Sequence, residues 1–579
     1  MALMRVKTKE MNEVHESGLL RAASALQVMS RWGSVFAAGL KGVIGHVDLE
    51  NISSAETRKR AVEAGELAYK STVEVERVDV FISHNWGCGR GLKFMAMCLF
   101  LNLQLAVKAA AATALAAATI LRFQVERSAD LGGHPLATPV LLYLPMVVFF
   151  LAFFCGQSIT RGHWSPNFWL DKLCVNQVDE KAKSQAITSF PVFLAQADQM
   201  LILWDEQYFE RLWCNMELAA FASTGRRIRQ MHFVPTWLAP WLLSAILTDL
   251  VSVTLLKFIW GQADTKEGAL ALTDAATRLL LNTVGRDDPG PTVLVTYTMM
   301  AAVGSFSYYV TALSQMLWSM QKVESHGKML DQMAHFDLRK ASCSRESDRQ
   351  VVEARIGELF EAASPRVASD PWGAQIKELS TALLTPAVHS FSMPDLDEEE
   401  AEDEAINFFN QYVRGPLRDV VLEKIGSERR LPYYLAILAM LPFMFYAFMD
   451  TLSCCGQSCV DGAAAAGDIS ASNYQLTLGL WWLTNCIVIF PIMPPALFAL
   501  ISLVCSATPR QDLRYVLGFL CVAALSTYAF VCSGLVLGAM MYAAVSGERE
   551  WLLFVVLLLA LLVLQLLLVF CRKSSASAV

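Results

Sequence analysis

Polar side chains that could line a ligand-binding site follow two short apolar runs of the chain. Ser83, His84 and Asn85 come at the end of the run VDVFIS, and Asp171 ends the second run, FWLD. Both runs have the composition of buried strands in a parallel sheet. Parallel α/β sheets bind ligands beyond the carboxyl ends of their strands, so these four residues are candidate ligand-binding residues. Their competing role is to cap the strands and turn the chain.

A carboxylate and an aromatic ring are spaced to share one face of a helix farther along. The segment RLWCNMEL places Trp213 four residues before Glu217, and side chains at that spacing are neighbours on a helix. The ring could then form one wall of a pocket that holds the carboxylate. The competing interpretation makes Trp213 a core residue and Glu217 a solvated one.

The sequence predicts neither a metal site nor a phosphate-binding loop. His84 has no second ligand at a metal-binding spacing, and His326 and His335 do not have the i, i+4 spacing of a helical pair. No paired CxxC motif is present. The glycines after the first apolar run, GCGRG, match neither GxGxxG nor a P-loop.

A small α/β domain, interrupted by an apolar hairpin, would position the candidate residues. Strands are predicted at 78–83, 168–171, 200–204 and 231–234, and helices at 182–197 and 211–223. Alternation of strands and helices predicts a four-stranded parallel sheet, in which the first strand lies beside the second or the third. The hairpin that separates the first two strands is long enough to cross a membrane twice.

The composition is that of a membrane protein. Of the 579 residues, 54% are hydrophobic and 17% are charged, and the mean hydropathy is +0.39. A bilayer core about 30 Å thick needs about 20 apolar helical residues. We therefore expect a mainly α-helical, polytopic membrane protein with about eight spans and a small cytosolic α/β domain. The predicted spans are 98–121, 136–156, 236–260, 292–320, 431–451, 476–505, 513–545 and 551–570.

The distribution of lysine and arginine predicts that both termini are cytosolic. If the chain alternates through eight spans from a cytosolic N-terminus, most of the 47 basic residues fall on the cytosolic side. Both halves of the α/β domain then lie in the cytosol; the identity of the membrane stays open. The basic residues left on the opposite side are Arg122, Arg127, Lys266, Arg278, Arg286 and Arg549.

Two charged residues lie near the centres of predicted spans. Lys108 belongs to the first span and Asp249 to the third. A bare charge there costs about 2.5–3.5 kcal/mol on insertion scales, so we expect both side chains to face protein or water. They could form an ion pair or line a polar path. Structural pairing is the preferred interpretation, because no run of polar residues follows several spans.

The chain is predicted to have six regions. The N-terminal cytosolic segment, 1–77, contains apolar residues that could form one face of an amphipathic helix. Such a helix could lie on the membrane, although packing on the cytosolic domain is the preferred interpretation. A net charge of −7 gives no basic surface for nucleic acid. The apolar residues are Leu19, Leu20, Ala23, Leu26, Trp32, Val35 and Phe36. The other regions are the split α/β domain (78–93 plus 157–235), the inserted hairpin (94–156), spans three and four (236–320), a cytosolic helical block with the acidic run DLDEEEAEDE (321–430) and a four-span region (431–579).

The split domain resembles TIR domains. VDVFISH resembles their first-strand motif, and WLDKLCVNQVDEKAKSQ resembles the central motif of fungal heterokaryon-incompatibility domains, which are TIR-like. RLWCNMEL resembles the plant TIR segment that carries the glutamate of NAD-cleaving enzymes. The three motifs occur in the right order but cover a small part of the chain. The stretch FDLRKASCSRESDR resembles a segment of large membrane-protein families of algal protists.

The resemblance implies a TIR-like fold and two alternative functions. The first is a membrane-anchored signalling or scaffolding protein whose cytosolic module binds protein partners or self-associates. The second is an NAD-cleaving enzyme, with NAD as substrate, in which Glu217 stabilises an oxocarbenium-like state and Trp213 walls the pocket. The NAD site would be lined by Ser83, His84, Asn85 and Asp171. A transporter or channel with a regulatory module is a third possibility.

The predicted topology can be tested at the sequon NIS, whose asparagine is Asn51. We expect no glycan on Asn51 when the protein is made in a eukaryotic membrane system, because the N-terminal segment stays in the cytosol. A mobility shift on deglycosylation, assigned to Asn51 by Asn51→Gln, would contradict the eight-span topology. So would cleavage of the C-terminal tail by protease added outside intact cells.

Overall fold

The computed structural model describes residues 14, 16–39, 41–44, 55–124, 136–223, 228–263, 289–343, 346–367, 398–454, 457–465 and 469–571. The fold is mainly helical with a small parallel sheet, as predicted. The chain divides into two compact units. The sheet unit consists of Met1–Leu103, Phe154–Ala239 and Ser325–Lys424. The helical unit consists of Gln104–Phe153, Pro240–Glu324 and Ile425–Val579.

The parallel sheet has four strands in the order β4-β3-β5-β6, and a separate antiparallel pair joins β1 to β2. In β3, Val80 pairs with Phe168 of β4, and on the other side Val78 to His84 pair with Ala197 to Leu203 of β5. The expectation that the first predicted strand lies beside the second or the third is therefore confirmed on both sides. The strands are β1 (Arg21–Ala22), β2 (Val73–Glu74), β3 (Val78–His84), β4 (Phe168–Trp169), β5 (Ala197–Trp204) and β6 (Met231–Pro235).

Helices make up most of both units, and some cross from one unit into the other. The first nine are α1 (Ala25–Gly33), α2 (Lys41–Ile44), α3 (Ala55–Lys70), α4 (Arg90–Gln124), α5 (Leu144–Ile159), α6 (Asp171–Cys174), α7 (Glu180–Thr188), α8 (Phe190–Ala195) and α9 (Leu212–Ser223). The next seven are α10 (Leu238–Ala263), α11 (Pro289–Gly304), α12 (Phe306–Tyr309), α13 (Ala312–Ala334), α14 (Ser347–Val367), α15 (Glu398–Tyr412) and α16 (Arg418–Ile425). The last seven are α17 (Tyr433–Ala439), α18 (Leu441–Ser453), α19 (Gln457–Ala465), α20 (Ala471–Thr484), α21 (Met493–Ala507), α22 (Gln511–Ser546) and α23 (Arg549–Phe570).

Two local predictions in the α/β domain are wrong. Asp171 begins helix α6 and does not end a strand, because β4 stops at Trp169. The single helix predicted at 182–197 is two helices, α7 and α8, that meet at Ser189. Pro191 lies in the first turn of α8, where its nitrogen has no hydrogen to donate to the Ile187 carbonyl, so the helical bonding of α7 cannot continue into α8.

The N-terminal apolar residues pack on the domain as expected, although they do not form one amphipathic helix. The short strand β1 interrupts the segment, and α1 starts at a capping box in which Ser24 and Gln27 bond each other's backbone N–H groups. Trp32 is 60% exposed. Its ring packs edge-on against Phe94 at 5.5 Å, where α4 begins. Buried residues of the segment are Leu19, Leu20, Ala23, Val35 and Phe36.

An aromatic cluster under the sheet holds β3 and β4 together. The rings of Phe81 and Trp169 stack with their centroids 4.5 Å apart, and Phe190 packs edge-on against both. Phe81 and Trp169 are fully buried. This cluster joins residues from the two sides of the apolar hairpin.

Among the described residues, six helices are long and apolar enough to cross a membrane, and two bent helix pairs bring the total to as many as eight. All eight overlap the predicted spans. Spans four and five are bent, by 67° between α12 and α13 and by 66° between α17 and α18. In span six, a π-turn and a 3₁₀ turn separate α20 from α21, at Asn485–Ile489 and Phe490–Ile492.

The aromatic cluster predicts a large loss of stability on truncation. Phe81→Ala should destabilise the sheet unit by about 3–5 kcal/mol, because it leaves a cavity at the junction of β3 and β4. The change in the free energy of unfolding is measured by limited proteolysis of the purified full chain at increasing denaturant concentrations. The control Leu67→Ala removes an exposed side chain of α3 and should stay within about 0.5 kcal/mol of the wild type. Equal effects of the two substitutions would contradict the packing described.

Candidate functional site

Three segments of the sheet unit meet at the carboxyl end of β3. The Ser83 hydroxyl lies 2.7 Å from the Tyr208 hydroxyl and donates a hydrogen bond to the Glu217 carboxylate. Ser83 is the second-to-last residue of β3, Tyr208 follows β5, and Glu217 belongs to α9. Ser83 and Tyr208 are fully buried. The structure thus brings together two of the predicted site residues, Ser83 and Glu217, although they are far apart in sequence.

Helix α9 is buried except along one narrow stripe. Trp213 and Glu217 are half-buried, whereas the other residues of α9 are buried. Because they lie four residues apart, the two accessible side chains occupy one face, as the spacing predicts.

Asp171 places a second carboxylate near Glu217. Its Oδ2 accepts a hydrogen bond of 2.6 Å from the Trp86 indole N–H, and its Oδ1 accepts one of 2.7 Å from the backbone N–H of Lys172. Asp171 is the first residue of α6, whose N-cap residue Leu170 makes no side-chain capping bond, so the capping role considered for Asp171 is not observed. The Asp171 carboxylate also interacts electrostatically with Glu217.

Burial changes the protonation of both carboxyl groups. It raises the pKa of Glu217 well above its usual value of 4.5; the Ser83 hydrogen bond opposes this shift and the nearby Asp171 charge adds to it. Burial also raises the pKa of Asp171, against the opposing effects of the Lys172 charge and the Trp86 hydrogen bond. Burial is thus the main cause of both shifts, and it favours the protonated form of each carboxyl group.

His84 lies on the opposite face of the sheet from Ser83, because successive residues of a strand alternate. Its ring packs edge-on against Phe36 with centroids 5.7 Å apart. Burial, together with the charges of Lys93 and Lys172, lowers the pKa of His84 well below 6.5, so the imidazole is neutral. In the described part of the chain its Nε2 atom has no hydrogen-bond partner. His84 therefore does not join Ser83 and Glu217 in one site.

Asn85 fixes the turn after β3. Its Nδ2 donates to Asp205 Oδ2 at 3.0 Å, and its Oδ1 accepts from the Gly87 backbone N–H at 3.0 Å. The Asn85 carbonyl accepts from the Lys93 ammonium at 2.9 Å, in the first turn of α4. These bonds match the turn-forming role that competed with ligand binding in the sequence.

Sequence reasoning missed Trp86, Asp205 and Tyr208 at this edge. Asp205 comes directly after β5, so the rule that selected Ser83 and Asn85 could have selected it too. Trp86 and Tyr208 lie in loops, and their partners, Asp171 and Ser83, are distant in sequence. Among the described residues, no group of three histidine, cysteine, aspartate or glutamate side chains could hold a metal ion.

The two intramembrane charges are not paired with each other in the described structure. Lys108 is exposed on α4. Asp249 is buried in α10, where it accepts hydrogen bonds from the Tyr308 hydroxyl at 2.6 Å and from the Phe443 backbone N–H at 2.8 Å. Asp249 thus faces protein.

Comparison with known proteins gives no match that bears on the fold or the site. No family model matches the chain, no curated protein matches it, and no solved structure matches it.

The protonation of Glu217 predicts how stability depends on pH. A carboxyl group with a raised pKa in the folded state stabilises the fold fully below its unfolded pKa, and this contribution is lost as pH rises through the folded pKa. The wild type should therefore lose thermal stability as the pH rises from 4.5 to neutral. The variant Glu217→Gln should lose less over the same range. The control Glu63→Gln changes an exposed residue of α3 and should leave the pH profile unchanged. Identical profiles for the wild type and Glu217→Gln would contradict the raised pKa.

Proposed function

We propose that the chain is a membrane-anchored signalling or scaffolding protein that acts through a cytosolic, TIR-like interaction module. The observation that supports this function best is that the polar side chains at the carboxyl end of the sheet, here called the polar edge, form hydrogen bonds with one another. Asn85 bonds Asp205, Trp86 bonds Asp171, and Ser83 bonds Glu217. Polar groups that are paired with one another hold a rigid surface, which suits binding of a protein more than opening for a substrate.

The attachment of the module to apolar helices also supports membrane anchoring. β3 leads through a short turn into α4, β4 follows α5, and β6 leads directly into α10. All three helices are long and apolar enough to span a bilayer, α5 together with the π-turn before it. The exposed rings of Trp32 and Trp164 lie beside the ends of α4 and α5, and tryptophan is enriched at membrane–water interfaces.

Self-association is the form of the proposal that can be tested with the chain alone. Two differently tagged full-length copies, co-expressed and extracted in mild detergent, should co-purify. Phe81→Ala should reduce co-purification, because it loosens the sheet unit and leaves the apolar helices unchanged. Size-exclusion chromatography checks that the variant is not aggregated. If the variant co-purifies as well as the wild type, association is assigned to the apolar helices. If the wild type does not associate but carries solute across reconstituted vesicles, a transporter is favoured.

NAD cleavage is the second candidate function, and the accessible Trp213–Glu217 stripe favours it. In this reaction the bond between ribose C1′ and the nicotinamide nitrogen breaks, and its electron pair leaves with nicotinamide. Water adds at C1′ and loses a proton, which gives ADP-ribose. An ionised Glu217 would stabilise the oxocarbenium-like state through charge and ribose hydroxyl contacts. The nearby Asp171 would disfavour ionisation of Glu217, so this reaction needs the substrate cation to offset that repulsion.

The enzyme candidate predicts a specific loss of activity. If the full chain releases nicotinamide from NAD, Glu217→Gln should lower the rate at least 100-fold, because the amide keeps the shape but lacks the charge. Trp213→Ala should lower both activity and stability. Glu63→Gln should keep the wild-type rate. Release of nicotinamide that persists in Glu217→Gln would remove Glu217 from the reaction, and a folded wild type with no release would favour the interaction module.

A further inference from the structure

A cavity of about 60 Å³ lies in the helical unit, apart from the edge of the sheet. It has room for about four to six water molecules, or for a small organic molecule. We call it the Asp249 cavity. Its polar lining includes Ser244, Thr248, Asp249, Tyr308, Gln315 and Ser319.

Asp249 brings a buried carboxyl group without a cationic partner to this cavity. The residue is 1% exposed, and the partners of its carboxylate are the neutral Tyr308 hydroxyl and the backbone N–H of Phe443. No lysine, arginine or histidine forms an ion pair with Asp249 in the described part of the chain. A charged side chain at membrane depth is costly unless it is paired or hydrated, and such residues commonly mark ion or substrate sites.

Both partners of Asp249 lie next to breaks in membrane-length helices. Tyr308 is in α12, just before the 67° bend into α13, and Phe443 is in the first turn of α18, just after the 66° bend from α17. The N–H groups of a first helical turn have no acceptor within the helix. Broken helices at membrane depth are tolerated where they are buried or line a cavity, and in transporters they form the binding site.

Two further polar residues line the cavity. Ser319 is 3% exposed and Trp241 is 4% exposed. A serine hydroxyl can accept a hydrogen bond and a tryptophan indole N–H can donate one. The lining therefore offers both kinds of polar group, beside the Asp249 carboxyl group, to a molecule in the cavity.

The remainder of the lining selects the chemical class of that molecule. Trp241, Tyr308 and Trp318 contribute aromatic surface, and Met440 and Leu497 contribute apolar surface. A metal cation such as Ca²⁺ or Mg²⁺ needs about six oxygen ligands, and this lining offers a single carboxylate. An ammonium group suits both the carboxylate and the aromatic rings, and its carbon chain suits the apolar wall.

We propose that the Asp249 cavity binds a small organic cation, a protonated amine, with Asp249 as its counter-charge. The ammonium N–H groups donate to Asp249 and to the Ser319 oxygen. The hydrocarbon part packs against Met440 and Leu497. This site is independent of the sheet edge, so it can exist with or without enzymatic activity there.

The test uses n-butylammonium as the probe and the full chain in lipid nanodiscs. Titration calorimetry should show one saturable site, and n-butanol, which has the same chain length without charge, should not compete. Asp249→Asn should weaken binding at least tenfold. Asp450→Asn is the matched control, because Asp450 is also an intramembrane carboxylate but bonds Trp482 outside the cavity lining. It should bind like the wild type.

A second variant keeps the proposal testable if Asp249→Asn does not fold. Ser319→Ala removes one hydroxyl and leaves both hydrogen bonds of Asp249 in place, so the fold should survive while binding weakens severalfold. Absence of saturable binding to the wild type would overturn the proposal. It would also be overturned by equal competition from n-butanol, or by binding that neither Asp249→Asn nor Ser319→Ala weakens.

Discussion

The parallel pairing of β3 with β5 is the interaction on which the sheet unit depends. It runs from Val78 opposite Ala197 to His84 opposite Leu203, and it places the ends of both strands side by side. Ser83 can reach Tyr208, and Asn85 can reach Asp205, because of this register. The other neighbour of β3 is the two-residue strand β4, which the stacked rings of Phe81 and Trp169 hold in place. The polar edge is therefore a product of pairing between distant segments.

Charge is distributed unequally around this edge. Lys93 and Lys172 are both buried, and each donates to a backbone carbonyl, that of Asn85 and that of Ala37 respectively. Burial, together with the charges of these lysines, keeps His84 neutral on one face of β3. On the other face the Ser83 hydroxyl donates to Glu217. The cationic groups near the edge therefore lie close to His84, whereas the partner of Glu217 is a neutral hydroxyl.

Local composition and spacing were enough to predict the apolar helices, the four parallel strands and the shared face of Trp213 and Glu217. Hydropathy identifies a span by length and composition, but it does not report bends, so the bends in spans four and five were not predicted. Proline gives a partial signal, since Pro442 lies in the first turn of α18. Tyr308 and Phe443 could not be assigned to Asp249 from sequence, because their contact depends on how three separate helices pack.

The apolar hairpin is the crossover that every parallel pair of strands needs, here between β3 and β4. During synthesis, β3 leaves the ribosome before the hairpin, and both of its partner strands leave after it. Because of this order, the sheet cannot be completed until the hairpin has left the ribosome. For a chain inserted co-translationally, β3 has two unpaired edges during that interval, and such edges are prone to aggregation. A completed sheet therefore indicates that the two apolar helices of the hairpin have already been synthesised.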